Sequence, residues 1–209
     1  MAETNRPLLR WFASKNPWFS ALKVVPFVLI YIIILFETGI DFLFPFWFVN
    51  GIIVWSLFEY VVHRWVYHTP IRSSKIRWFV DAFHEHHHRN LDDYEVLNAG
   101  FLLSYPITII VLSVVFLSTW SLYATACFGL GMTLYYIFYE IVHYLIHYKC
   151  WSGGYMSFIQ KYHLFHHHEN WNRNFGNTIS FWDRIFGSYD GDYRDFEISE
   201  SMRKDFIKD

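Results

Sequence analysis

Four apolar runs dominate the pattern along the chain, near Val24 to Phe36, Phe44 to Val62, Asn98 to Leu117 and Leu122 to Val142. Three of them approach the roughly 20 residues that a helix needs to cross the hydrocarbon core of a bilayer. The first is shorter and needs Glu37 to Ile40 to complete a crossing, so a tilted or re-entrant segment competes there. The pattern predicts four transmembrane helices in two hairpins, with polar segments before the first, between the second and third, and after the fourth. A soluble all-helical protein is the competing reading. It would have to hide four such runs, none with a continuous charged face, within 209 residues.

Charge sharpens this picture through its placement. Four crossings leave the N-terminus, the segment from His63 to Val96 and the tail after His143 on one side of the membrane, and only Glu37 to Asp41 and Ser118 to Ser121 on the other. All 17 Lys and Arg residues fall on the first side, as cytoplasmic loops require. Three or five crossings would break that partition. Residues 1–23 form a cytoplasmic N-terminal segment that contains Arg6, Pro7, Arg10, Lys15 and Pro17. It lacks the compact apolar core and small-residue cleavage site of a removed signal peptide, so the first run is expected to stay as an anchor. The whole chain, 1–209, reads as a single membrane-embedded domain.

Composition supports a membrane solvent, with 54% apolar, 22% aromatic and only 17% charged residues. A formal net charge of −2 gives no footing for nucleic-acid binding. Cys127 and Cys150 are too few for a disulfide framework and leave the redox compartment open. Glycine-rich nucleotide loops, a nucleophile elbow and a covalent haem motif are all missing from the sequence.

The chemistry lies in the histidines. All 12 belong to four clusters: His63 with His68; His84 with His86, His87 and His88; His143 with His147; and His163 with His166, His167 and His168. Each hairpin is followed by a histidine pair, 15 residues and then a cluster, so the chain reads as two copies of one unit. Positions i, i+3 and i+4 share a helical face. That geometry groups His84, His87 and His88, groups His163, His166 and His167, and pairs His143 with His147. His63 and His68 stand about 140° apart on a regular helix, so the helix is expected to end or distort between them, with Pro70 just beyond. His86 and His168 leave these faces and are read as solvent-facing or hydrogen-bonding residues outside the metal shell. A register that pairs His163 with His167 and His168 stays open on spacing alone.

Ten neutral nitrogen ligands exceed the needs of one tetrahedral zinc and suit two metals of higher coordination with open positions. Iron is expected, because zinc has no redox chemistry, although zinc is compatible with the same ligands on purification. Glu59, four residues before His63, and Glu140, three before His143, share their histidines' faces and are candidates to accept imidazole N–H groups. An interfacial carboxylate is the ordinary alternative for both. Asp81, Asp92, Asp93 and Asp183 read as solvated loop residues. A divalent-metal transporter or a metal sensor is a different class of function for the same clusters. Transporters place polar ligands near the bilayer midplane, whereas Val24 to Leu35 and Leu102 to Val115 are almost free of ionisable groups.

Glu59 to His68, Tyr139 to His147 and Lys161 to His167, followed by Phe175-Gly176 and Phe181 to Gly187, resemble the histidine boxes and C-terminal signature of the fatty acid hydroxylase and sterol desaturase superfamily. The likeness is greatest to its fatty acid 2-hydroxylase branch and spans residues 58–188, the histidine-box catalytic region. The resemblance implies an all-α membrane fold with a cytoplasmic helical cap carrying a dinuclear metal site. It favours His163, His166 and His167 as ligands, giving His63, His68, His84, His87, His88, His143, His147, His163, His166 and His167 in all. It also implies dioxygen as co-substrate, a lipid substrate and electrons from outside. In the absence of a fused cytochrome b5 domain, the donor would be a separate cytochrome b5, or a ferredoxin with its reductase. Hydroxylation of an acyl chain at carbon 2 is the expected reaction. A sterol or sphingoid-base hydroxylase or desaturase is the runner-up, and a carotenoid hydroxylase the third choice. The extra histidine in His166 to His168, and the missing proline pair in Glu95 to Gly100, are departures that bear on the substrate. The membrane would be the endoplasmic reticulum in a eukaryote or the inner membrane in a bacterium.

The charge partition predicts that tags after Ala2 and after Asp209 report cytoplasmic, while tags within Glu37 to Asp41 or at Thr119 report the opposite side. Protease protection or thiol-labelling assays read this directly. Termini on opposite faces would sink the four-span arrangement.

Overall fold

A computed structural model describes residues 13–14, 17–70, 72–89, 91 and 98–202. The cations Arg6, Arg10 and Lys15, with Pro7, and the acids Asp92, Asp93 and Glu95 lie outside the described residues. The elements are, in order, β1 (Ala13–Ser14), α1 (Pro17–Thr38), α2 (Phe44–Val61) running into a π turn (Val62–Tyr67), α3 (Ser74–Val80), a second π turn (Asp81–Glu85), α4 (His86–Arg89), β2 (Asn98–Ala99), α5 (Phe101–Thr119), α6 (Leu122–Tyr148), α7 (Gly154–His168), α8 (Phe181–Ile185) and a 3-10 turn (Asp192–Arg194). The chain divides into two compact units, one of residues 1–56 and 98–140 and one of residues 57–97 and 141–209.

The first unit is the membrane bundle. Among the described residues, four helices are long and apolar enough to cross a bilayer, Ala21–Thr38, Phe44–Tyr67, Phe101–Thr119 and Leu122–Tyr148, of which the second and fourth run on into the second unit. Helix α5 has no residue buried inside the protein. Leu29, Ile33 and Phe36 of α1 and Ile110, Val114 and Leu117 of α5 are each more than half exposed, which is stable only with lipid as the solvent. Inside the bundle, Tyr31, Leu35, Ala126 and Cys127 form a buried cluster, flanked by Phe27, Trp47 and Leu112.

Two glycines set how closely α2 and α6 approach. A Cβ on Gly51 would stand 2.1 Å from the Phe128 carbonyl oxygen, and one on Gly131 would stand 2.0 Å from that of Phe48. The helices thus meet backbone to backbone, the contact that small residues permit where no hydrophobic force separates protein from lipid. The first connector is tied to the start of α6, since the Tyr123 hydroxyl donates to Asp41 Oδ1 (2.6 Å) and the Asp41 N–H donates back to that hydroxyl (3.1 Å).

Two boundaries differ from the sequence expectation. Helix α1 gains its length at both ends, from Pro17 before the apolar run and from Glu37 and Thr38 after it, and stops short of Gly39 and Ile40. Helix α5 starts at Phe101 and not at Asn98, because Asn98 and Ala99 pair antiparallel with Ser14 and Ala13. Lys23, placed by sequence in a polar segment, lies within α1, where only 5% of its surface is exposed. Its ammonium stands 2.9 Å from Glu140 Oε1 and 4.9 Å from the centre of the Tyr136 ring. The Tyr136 hydroxyl donates to the same carboxylate oxygen. Glu140 therefore has a cationic partner, which is what makes an acid tolerable within a span.

In the second unit, Val142, Ile146, Ile159, Tyr162, Leu164 and Phe165 pack α6 against α7, and Tyr193 and Phe196 close the cluster. Gln160, 1% exposed, caps the end of α6. Its amide donates to the carbonyls of Ile146 (2.7 Å) and Lys149 (2.5 Å), which the helix terminus leaves without intrahelical partners. This fixes the register between the helices that carry His147 and His163.

Removing one member of a buried ion pair is far costlier than replacing both, by about 3–5 kcal/mol. Lys23→Met is therefore expected to lower the unfolding free energy in mixed micelles by about that much, and Lys23→Met with Glu140→Met to recover most of the loss. Equal losses in the single and double variants would show that the pairing itself contributes nothing.

Candidate metal centre

Every histidine expected at the centre belongs to the second unit, and the local backbone explains how they meet. The π turn after α2 carries hydrogen bonds from i to i+5, so residues five apart come onto one face. His63 and His68 accordingly approach with ring centroids 5.1 Å apart. The expected distortion is thus a widened turn that ends at Tyr67, with His68 as its cap. The second π turn brings His84 to α4.

The ten rings sort into two groups. His63, His68, His84, His88 and His166 form one, and His87, His143, His147 and His163 the other, with ligand nitrogens inside each group within 4.8 Å of one another. His167 joins the second group, its Nε2 standing 2.9 Å from His163 Nε2. The groups adjoin, since the His88 and His167 rings stack at 4.0 Å. His84, His87 and His88 do not act as one face. His84 and His88 pair through their Nε2 atoms at 3.0 Å, while His87 turns to His143 and His147 with centroids at 5.1 and 4.7 Å. The later cluster mirrors this, His166 crossing to the first group and His163 and His167 staying in the second. Each copy of the repeat thus keeps four histidines and lends its middle one to the other. His86 and His168 belong to neither group, and His168 instead stacks on Phe196 at 6.3 Å.

Their electrostatics fit a metal. Burial holds the imidazoles in the neutral form, pushing His68 down to about 4 and His87 and His166 down to about 3. It pushes His84, His88, His163 and His167 well below the ordinary histidine range. His63 Nδ1 lies 2.5 Å from the Phe175 carbonyl oxygen and His166 Nδ1 lies 2.6 Å from that of Arg173. A carbonyl only accepts, so each ring carries its proton on Nδ1 and aims the Nε2 lone pair inward, the tautomer a metal needs. His68 Nε2 lies between His84 Nε2 at 2.8 Å and His166 Nε2 at 3.2 Å. One N–H points at one neighbour, so hydrogen bonds alone do not satisfy all three. His63 Nε2 and both nitrogens of His87 are buried with no hydrogen-bond partner, so in each ring the one unprotonated nitrogen keeps a free lone pair of the kind a metal takes.

The groups differ in access. His87, His143, His147, His163 and His167 are buried, whereas His68 and His84 are half-buried. With His88 these two line an open pocket of about 280 Å³, whose wall includes Tyr67, Pro70 and Trp171. The Tyr67 ring stacks on His84 at 4.5 Å, and the Trp171 indole, 4.7 Å from His88, donates to the His167 carbonyl oxygen (2.7 Å).

The candidate acids do something other than expected. Glu59 Oε1 accepts the backbone N–H groups of Asn177 (2.8 Å) and Thr178 (3.1 Å), and Oε2 accepts the Thr178 hydroxyl (2.9 Å). It therefore holds a loop, and Glu140 holds Lys23. Asp81 pairs with Arg77 at 3.6 Å on the surface. Asp183 corrects the sequence reading outright, for it is fully buried and organises the loop beside the centre. The hint in sequence was its place within Phe181 to Gly187. The loop carbonyls gave none, because a backbone acceptor has no residue signature.

The family model for fatty acid hydroxylases matches residues 48–188 of this chain. A dihydroceramide fatty acyl 2-hydroxylase of Arabidopsis thaliana is 35% identical over 144 residues, spanning 67% of this chain and 59% of that protein. A ceramide very long chain fatty acid hydroxylase of Schizosaccharomyces pombe is 27% identical over 189 residues, 84% of this chain and 51% of that protein. The solved structure of full-length Scs7p, in which only the hydroxylase domain is visible, superposes with a TM-score of 0.72 at 28% identity, over 87% of this chain and 69% of that one. The chain spans about half the length of the curated relatives it matches.

Position on the turn predicts which histidines matter. His87→Ala, His143→Ala, His147→Ala and His166→Ala are each expected to lose at least one of two metals per chain, and His86→Ala and His168→Ala to keep both, by elemental analysis at matched purity. Equal losses at His86 and His87 would overturn the assignment.

Proposed function

The chain belongs to the fatty acid hydroxylase family, and from that premise we propose that it hydroxylates a lipid acyl chain, at carbon 2 of a fatty acid or of the N-acyl chain of a sphingolipid. The observation that carries the reading is the pair of adjoining histidine groups, one sealed and one open to a pocket. The relatives named as fatty acyl 2-hydroxylase and ceramide fatty acid hydroxylase support the substrate class.

His63, His68, His84, His88 and His166 would hold one iron, and His87, His143, His147, His163 and His167 the other. When bound, such a pair supplies the redox chemistry that lets dioxygen oxidise an aliphatic C–H bond. The protein's share is to keep ten imidazoles neutral by burial, to fix the tautomers of His63 and His166 through the Phe175 and Arg173 carbonyls, and to exclude water from the second group. The pocket beside His68, His84 and His88 gives small molecules a way to the first group.

We place the histidine unit on the cytoplasmic face, where the basic residues collect. An acyl chain rising from the bilayer presents its carbon 2 near the headgroup, at the depth such a site reaches. A cytochrome b5, or a ferredoxin with its reductase, would supply the two electrons.

The test is purified protein in lipid nanodiscs with iron, a reductant system and an N-acyl sphingolipid under ¹⁸O₂. The expected result is a 2-hydroxylated acyl chain carrying one ¹⁸O atom, at two irons per chain, with turnover abolished by an iron chelator. Active preparations that contain zinc alone and ignore the chelator would overturn the reading, as would oxygen uptake without lipid product.

A further inference from the structure

The two histidine groups are held differently, and the difference lies in one loop. The carbonyls of Arg173 and Phe175, two residues apart, accept the Nδ1–H groups of His166 and His63, both of the first group. The Nδ1 atoms of His87, His163 and His167 in the second group, and that of His88 in the first, are buried with no hydrogen-bond partner. Only the first group is thus shown tied by carbonyls from the segment 173–178.

That segment is itself shaped by two buried carboxylates. Asp183 Oδ1 accepts the Phe175 N–H (2.9 Å) and the Ser188 hydroxyl (2.8 Å), and Oδ2 accepts the Gly176 N–H (2.8 Å). Glu59 takes the next two N–H groups, of Asn177 and Thr178. Four successive backbone donors therefore point at carboxylate oxygens, leaving the preceding carbonyls to face the histidines. Asn174 adopts a left-handed φ of 58° and exchanges hydrogen bonds with the backbone of Asp190 at 3.2 and 2.8 Å. At Gly176 a Cβ would stand 2.0 Å from the Ile179 carbonyl oxygen and 3.1 Å from Asp183 Oδ2, so only glycine lets the carboxylate reach the chain.

We propose that Arg173–Thr178 is a tautomer clamp for the first histidine group alone, with Asp183 and Glu59 as its positioning residues. Loss of either carboxylate frees the two carbonyls, lets His63 and His166 rotate or change tautomer, and weakens the first metal site while the second keeps its ligands. The inference rests on the reading of the ten histidines as metal ligands.

The experiment measures metal per chain on full-length protein for wild type, Asp183→Asn, Glu59→Gln, His87→Ala and the Asp183→Asn/His87→Ala pair, with far-ultraviolet circular dichroism and gel filtration as checks of folding. Wild type is expected to hold two metals, Asp183→Asn and Glu59→Gln about one each, and the pair close to none. Wild type without metal would refute the ligand reading itself. Wild type with two metals and both carboxamide variants also with two would overturn the clamp and leave the ligands standing. Loss of both metals together, or failure of both variants to fold, would overturn it as well, because the loop would then be a general support and not a selective one.

Discussion

Neutral imidazoles with their unprotonated nitrogens aimed at one another repel unless positive charge lies between them. That constraint governs the second unit. It asks for burial, which keeps the rings neutral, and for outward hydrogen bonds, which fix the tautomers. It also asks for rigid elements that hold nitrogens from several segments within about 3 Å of each other. The Gln160 cap at the end of α6, the packing of α6 on α7 and the Asp183 loop each answer one of these demands. A ligand shell left to flexible loops would not hold such nitrogens together without metal, and the geometry would have to be assembled anew at each binding event.

The same logic of compensation appears in the membrane bundle with different partners. A carboxylate within a span is tolerable when a cation and a hydroxyl accompany it, and Glu140 has Lys23 and Tyr136. Bare backbone is tolerable at a helix contact when the opposing residue is glycine, as at Gly51 and Gly131.

Much of this was legible in the sequence, and what was not has a physical reason. Four spans follow from apolar run length, and spacing on helical turns groups eight of the histidines, while the place of His63 and His68 needed a distorted helix and the choice of His166 and His167 over His168 came from the resemblance. The exchange of His87 and His166 between groups does not follow, because spacing says which residues share a face and not which of two neighbouring centres each ring meets. The π turn at His63 was foreseen only as a distortion, since periodicity marks where a helix fails without saying how. Lys23 fell at the end of the polar N-terminal segment in the sequence because its partner, Glu140, is 117 positions away. Asp183 read as a loop acid because its partners are N–H groups, present at every residue and therefore silent in a sequence.

The repeat invites the view that the two histidine groups are equivalent, and the order of the histidines alone fits it: His63 answers to His143, His68 to His147, and His84, His87 and His88 to His163, His166 and His167. The asymmetry comes from what the repeat lacks. The segment after His168, with Arg173 to Gly176 and Asp183, follows the second copy and has no counterpart in the motif of the first, yet its carbonyls bind His166, which the second copy lends away, and His63 of the first. The pocket opens on that same group through His68, His84 and His88. A duplicated histidine set can thus form two like groups, while a single added loop and one opening beside His68, His84 and His88 leave one group facing a pocket and the other buried.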